Sequence, residues 1–321
     1  MIGYHVGTYT NYGDIPPAQR RFILRSFMFL KTKTKPDGSF DKIKARLVAD
    51  GKHQFAGLYD LIASAMVSLK GVFLLFNIAS YYGAILASID ITGAFLNAGF
   101  TAQDPTVRMM IDRVTAAQWA ELDPSCIPFL THKGELILTL DKFLYGLKQS
   151  PLKFQQHLTA ALKEDGYAQL QQDECLFIRR TKHGFCLLST HVDDILIVST
   201  HQVLVDELVS HLVSTYKKIT FHQTADSYLG MTITRSLDKR RLTITQQGLT
   251  AKIVESYLVE SKSHVNTPAG IDLFGYDPGL SVPFDRKQYL SMVMSLMYLA
   301  RLTRPDRSSG IYRGQGTMEL E

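Results

Sequence analysis

Cysteine and tryptophan are scarce, with three of the first and one of the second in 321 residues. Cys126, Cys175 and Cys186 are odd in number and far apart, with no C-x-x-C pair. That argues against a disulfide scaffold or a cysteine zinc site, and it fits a reducing, intracellular setting. The N-terminus, MIGYHVGTYTNYGD, lacks a basic stretch followed by an apolar core, so no secretory leader is expected. Long apolar runs are missing too, with one exception. Residues 71–89 form a run of 19 without a charge, near the length that spans a bilayer. Asn77, Ser80, Tyr81, Tyr82 and Ser88 interrupt it, and Lys70 and Asp90 bound it. A buried helix running into a buried strand is the expectation, not a membrane contact. No repeat or low-complexity tract is visible. G-x-G-x-x-G, Walker A and G-x-S-x-G strings are absent, which removes the usual support for dinucleotide, P-loop and esterase chemistry. Neither charge sign dominates: 35 Lys+Arg against 30 Asp+Glu leave +5, which permits a polyanionic partner without demanding one.

Hydrophobic residues make up 45% and charged residues 20%, the balance of a folded chain, and the length suffices for two domains or for one with subdomains. Residues 23–33 and 40–48 read as two strands around Pro36-Asp37-Gly38, a turn in which Pro presets φ and Gly accepts positive φ. Lys31, Lys33, Lys35, Lys42, Lys44 and Arg46 make this ribbon basic: either a solvated face or a finger that grips phosphates. Residues 104–150 look loop-rich, apart from a strand over 136–140. Helix spacing appears over 151–166, 203–216, 250–259 and 288–302. Strands are expected over 175–179, 185–199, 227–236 and 241–246, with a polar connection over 263–286. Strands and helices interleave without a βαβ rhythm, so the expected class is α+β with an antiparallel sheet.

The chemistry concentrates in His191-Val192-Asp193-Asp194, which lies between apolar strand-forming runs. Buried carboxylates are costly unless paired or metal-bound. A continuous strand would drive one of the two inward; a tight turn would present both at a strand junction. Asp90 also ends an apolar run, so three carboxylates could converge on one sheet surface. Hard oxygen donors of this kind suit Mg²⁺. The His191-x-Asp193 spacing also begins a 2-His-1-carboxylate iron site. None of His201, His211, His222 and His264 has a context that would complete it.

These strings, taken together, resemble the reverse transcriptase of copia-type long-terminal-repeat retrotransposons. Lys44-Ala45-Arg46-Leu47-Val48 resembles that family's fingers motif, and the eight residues 90–97 (DITGAFLN) resemble its first catalytic motif. Residues 144–151 (LYGLKQSP) are similar to LYGLKQ-x-P, and residues 173–177 (DECLF) to the segment before the catalytic hairpin. His191-Val192-Asp193-Asp194 stands where YVDD is expected, and Tyr228-Leu229-Gly230-Met231 resembles the primer grip. Residues 295–300 (SLMYLA) and 303–306 (TRPD) match late signatures. The strings are collinear from about residue 21 to 306.

The resemblance implies a right hand: fingers and palm over 21–235 (palm near 86–102 and 151–235), a thumb-like region over 236–306, an irregular segment 1–20 and a divergent tail 307–321. It implies RNA-directed DNA polymerisation with two Mg²⁺ (or Mn²⁺) ions on Asp90, Asp193, Asp194 and the Ile91 carbonyl. Lys42, Lys44, Arg46, Phe95, Tyr145 and Lys148 would bind the deoxynucleotide, with Phe95 rejecting a 2′-hydroxyl. Gly146, Gln149, Pro151, His191, Val192, Tyr228, Leu229, Gly230 and Met231 would meet primer and template. The implied partners are an RNA template, a DNA primer and a parent polyprotein that carries the protease, integrase and ribonuclease H; a cytoplasmic, particle-associated or nuclear location goes with them. His191 replaces the commoner Tyr, Ala65-Met66 replaces a usual Ser-Pro, and the tail after Asp306 leaves the pattern.

Overall fold

A computed structural model describes residues 2–34, 40–55, 62–257 and 285–305. The apolar runs at 85–91, 184–191 and 194–199 become strands at the centre of a six-stranded antiparallel sheet. In spatial order it runs Ile219–His222, Ile85–Ile91, Asp194–Ser199, Gly184–His191, Asp173–Thr181 and Ala168–Leu170. Successive side chains of a strand alternate faces, and the two faces are buried by different partners. Ile89, Ile195 and Ile197 pack with Phe154, Leu158, Leu204 and Leu208 of helices Ser150–Glu164 and Gln202–Thr215. Leu86, Leu196 and Val198 pack with Val72, Leu75 and Phe76 of helix Leu69–Tyr81. Each fully buried Leu or Ile contributes about 1.5–3 kcal/mol, so both faces hold the register. The charge-free run is thus a helix followed by a strand, and no helix among the described residues is long and apolar enough to cross a membrane.

A second sheet has the spatial order Gly7–Tyr9, Leu136–Leu140, Arg108–Ile111, Leu24–Thr34 and Phe40–Ala49. The last two strands form the expected basic ribbon, in which Lys31 pairs with Lys44 and Lys33 with Lys42; the Pro36-Asp37-Gly38 turn lies outside the described residues. Two expectations are corrected. The segment 104–150 is not mostly loop, because Asp112 caps a helix, Arg113–Leu122, by accepting from the Val114 and Thr115 amides. The N-terminal segment is not wholly irregular, because Gly7–Tyr9 pairs with Leu138–Leu140.

The third sheet holds Ser227–Tyr228, Met231–Arg235 and Leu242–Thr245. Residues 227–236 are therefore not one strand: Leu229 (φ +47°) and Gly230 (φ +73°) turn the chain. Arg235 donates to the Ala79 and Ala84 carbonyls at 3.0 and 2.7 Å, tying this sheet to the end of helix Leu69–Tyr81. Helices Gln247–Tyr257 and Arg286–Leu302 pack together beyond it, and Tyr298 donates to the Leu229 carbonyl at 2.8 Å. Residues 263–284 of the expected connection, and Asp306, lie outside the described residues.

Candidate active site

The two-residue turn Val192-Asp193 closes the hairpin between Gly184–His191 and Asp194–Ser199, with His191 paired to Asp194. It is a tight turn and not a continuous strand, and it contains no glycine. Val192 adopts φ +55°, which is a true outlier for a β-branched residue. Such strain costs about 1–3 kcal/mol and persists only where surrounding structure over-determines it. Here the neighbouring strand does so: the Ile91 amide donates to the Asp193 carbonyl at 2.9 Å. Asp194 is in register with Asp90, and Asp90 with Thr220 on its other side. The row Asp194–Asp90–Thr220 therefore stands on one face, on the side of Leu86 and Leu196.

Burial, then repulsion from Asp90, raises the Asp193 carboxyl above its ordinary range, while Lys44 and Arg46 pull it down. Asp194 is pushed up to about 6 by burial, then by Asp193 and Asp90. His191 is held low by burial, with its Nδ1 buried and unpartnered. A carboxyl with a raised folded pKa binds its proton more tightly than the unfolded chain does, so stability is lost as pH rises between the two values. In metal-free buffer, the difference in urea midpoint between Asp194→Asn and wild type is therefore expected to widen in favour of the variant from about pH 4 to 7. A pH-independent difference would show that Asp194 is not under this load.

A cleft of about 610 Å³ opens beside the carboxylate row. Asp90, Asp194, Thr220 and His222 line it from the six-stranded sheet, Ser227 to Gly230 from the third sheet, and Lys42 from the ribbon. Tyr228 is buried and bonds Ser189 Oγ at 3.0 Å, and Met231 is fully buried; these two support the turn while Leu229 and Gly230 face the cleft. On the other side, Phe95 meets Tyr145 edge-on at 4.9 Å between ring centroids, and the Arg46 guanidinium lies 5.5 Å from the Tyr145 centroid. Arg46 Nε is buried without a partner. Burial and the Asp193 charge raise the Tyr145 hydroxyl.

The loop 145–149 is fixed to the base of the ribbon: Ala49 donates to the Tyr145 carbonyl at 2.9 Å. Gly146 (φ +95°) approaches so closely that a Cβ would sit 2.0 Å from the Ala49 oxygen. Lys148 and Gln149 turn inward rather than into the cleft. Lys148 Nζ donates to the Gln54 carbonyl at 3.2 Å, and Gln149 is buried against the Gln54 amide at 3.0 Å. Pro151 sits in the first turn of helix Ser150–Glu164.

Sequence reading missed Thr220, and it weighed His222 only as an iron ligand and not as part of this wall, although the alternation of Ile219–His222 marks a half-buried strand. It also missed Gln54, and Tyr4, whose hydroxyl bonds the Thr92 carbonyl at 3.2 Å; no local signal marks either. Among the described residues, no three His, Cys, Asp or Glu side chains form a ready-made metal cage. The iron alternative gains nothing from His211, whose Nε2 lies 2.9 Å from the Ala161 carbonyl, engaged in the packing of helix Gln202–Thr215 on helix Ser150–Glu164.

The sequence matches the model of the reverse transcriptase (RNA-dependent DNA polymerase) family over residues 13–270. It is 26% identical over 308 residues to the retrovirus-related Pol polyprotein from transposon TNT 1-94 of Nicotiana tabacum, covering 94% of this chain and 22% of that protein. With the Pol polyprotein from transposon RE2 of Arabidopsis thaliana it shares 27% identity over 315 residues, 97% of this chain and 20% of that protein. The chain thus spans about a fifth of the length of these curated relatives. Among solved structures, the foamy viral protease–reverse transcriptase in complex with double-stranded DNA aligns with a TM-score of 0.46 at 16% identity, over 91% of this chain and 41% of that one. By its family match and its relatives, the chain belongs to the reverse transcriptase family, in the form carried by the Pol polyproteins of copia-type transposons.

Proposed function

We propose that this chain is an RNA-directed DNA polymerase core that extends a DNA primer on an RNA template. The observation that carries the reading is one cleft walled by Asp90, Asp194, Lys42 and the Leu229-Gly230 turn. In this reading the primer 3′-hydroxyl oxygen bonds to the α-phosphorus of a deoxynucleoside triphosphate. The bond to the bridging oxygen breaks, pyrophosphate leaves with that electron pair, and the hydroxyl proton passes to water. Residues 21–235 act as fingers and palm, and 236–306 as a thumb-like region.

The donor set fits hard divalent cations. It is all oxygen, from Asp90, Asp193, Asp194 and the Ile91 carbonyl, and its raised carboxyls are groups that a cation would relieve. Two Mg²⁺ ions, or Mn²⁺, would supply Lewis-acid stabilisation of the phosphoryl oxygens there. The chain's own groups do the rest. Lys42, Lys44 and Arg46 neutralise the triphosphate tail. Phe95, braced by Tyr145, walls the sugar. Gly146, Lys148, Gln149 and Pro151 hold Tyr145 in place under the new base pair. His191 and Val192 flank the carboxylates, and Leu229 and Gly230, carried on buried Tyr228 and Met231, hold the primer end. Protease, integrase and ribonuclease H would come from the parent polyprotein.

Shortening Phe95 to valine removes the wall. Single-nucleotide extension is expected to show the ribonucleotide-to-deoxynucleotide ratio rising by about 100-fold, the scale of a lost steric contact in a shaped pocket. An unchanged ratio would take Phe95 out of this role. Salt-dependent duplex binding by well-folded protein, with no nucleotide added in Mg²⁺ or Mn²⁺, would instead mark a binding remnant.

A further inference from the structure

At the end of the six-stranded sheet remote from the carboxylates, exposed aromatic rings and cations lie together. Tyr81 and Tyr82, at the end of helix Leu69–Tyr81, are 74% and 56% exposed. Their rings meet edge-on at 4.9 Å, and Tyr82 meets Phe185 at 5.2 Å. Five strand steps of about 3.3 Å separate Ile85 from Asp90, so this surface is roughly 17 Å from the cleft. Beside it runs the turn 236–241 (SLDKRR), which carries three cations and one acid. The turn is built rather than loose. Asp238 Oδ1 accepts from the Ser236 hydroxyl and the Arg240 amide, and the Arg241 amide donates to Ser236 Oγ. Arg235 holds the Lys239 carbonyl, and Arg240 reaches the Tyr81 carbonyl at 3.2 Å, which joins the cations to the rings. The acid is thus spent inside the turn, and Lys239, Arg240 and Arg241 are exposed.

Neither the proposed chemistry nor the core uses these groups. Ordered rings offer stacking faces to any base, and adjacent cations track a phosphate backbone. In a duplex each base face is covered by the next base pair of the stack, so the surface selects unpaired, unstacked strands. We infer that Tyr81, Tyr82, Lys239, Arg240 and Arg241 form a second nucleic-acid site, taking single-stranded RNA or DNA outside the polymerase cleft.

The test uses the full chain with Lys42→Ala, Lys44→Ala and Arg46→Ala, which quiets the ribbon, and fluorescence anisotropy with a 20-nucleotide oligouridine. That protein is expected to bind. Adding Tyr81→Ser and Tyr82→Ser weakens binding by about tenfold per ring. Adding Lys239→Ala and Arg241→Ala instead lowers the salt slope by about 1.4. Oligothymidine in place of oligouridine reports whether the sugar is read, and a blunt duplex is expected to bind less well. Affinity unchanged by either pair overturns the inference. So does loss of binding to phosphatidylserine vesicles, or of self-association, with oligouridine binding intact. Wild-type protein gives a check that needs no variant: 4-thiouridine RNA should crosslink to peptides carrying Tyr81, Tyr82 or Phe185, and crosslinks confined to the ribbon and cleft overturn the site. None of these readouts depends on catalysis, so the polymerase reading stands or falls separately.

Discussion

Asp193→Asn is expected to abolish primer extension on an RNA template, by at least about 10³-fold, while the protein stays folded. The expectation rests on three facts about one short turn. Asp193 is fixed by the Ile91 amide on its carbonyl, it shares a field with Asp90 and Asp194, and it faces the cations Lys44 and Arg46. The substitution keeps the shape and removes the charge. Because burial already disfavours that charge, the neutral side chain does not weaken the fold at pH 7. Loss of activity with an unchanged or raised urea midpoint therefore reads as lost chemistry. Extension products equal to wild type would show that catalysis is not carried here, whatever the family.

The second large effect is structural and lies outside the carboxylates. Gly146→Ala is expected to cost more than about 4 kcal/mol or to prevent soluble expression, the range reserved for clashes that cannot relax. The new methyl would stand 2.0 Å from the Ala49 oxygen and 2.6 Å from Val48 Cγ1, at a φ that L-residues avoid. Neither backbone can retreat, because the Ala49 amide is bonded to the Tyr145 carbonyl and Gly51 packs on the Gly146 oxygen. Any folded fraction should show Tyr145 displaced from Phe95, and so weakened selection against ribonucleotides as well. A near-wild-type urea midpoint would mean that the ribbon and the loop are not joined as described.

The sequence made the centre of the molecule legible and its margins much less so. Asp90 and Asp193-Asp194 end or interrupt apolar runs, a pattern that points to a shared sheet surface; the register between Ile85–Ile91 and Asp194–Ser199 sets Asp90 beside Asp194, with Asp193 in the adjoining turn. Helix Arg113–Leu122 was hidden because its buried residues include Thr115 and Ala116, while Val114 and Leu122 are exposed, so the apolar period is faint. Gly7–Tyr9 is three residues whose partner lies more than a hundred positions away, and nothing local can announce it. The two turns that shape the cleft begin with Val192 and Leu229 at positive φ, where turn rules look for Gly or Asn. The resemblance assigns Lys148 to the nucleotide and Gln149 to primer and template, because the motif is a ligand motif. Only the fold reveals Gln54 as the partner that turns them in.

The pairing of Asp194 with Asp90 is the sixth rung of a ladder that starts at Ser199 and Ile85. Losing one residue from either strand would exchange inside for outside at every rung beyond the gap. The acids would then turn toward helices Ser150–Glu164 and Gln202–Thr215, and isoleucines would look out over the cleft. On the polymerase reading, the length between those rungs is thus as much a part of the proposed site as the acids are, and deleting a single codon there is expected to abolish primer extension without removing one carboxylate.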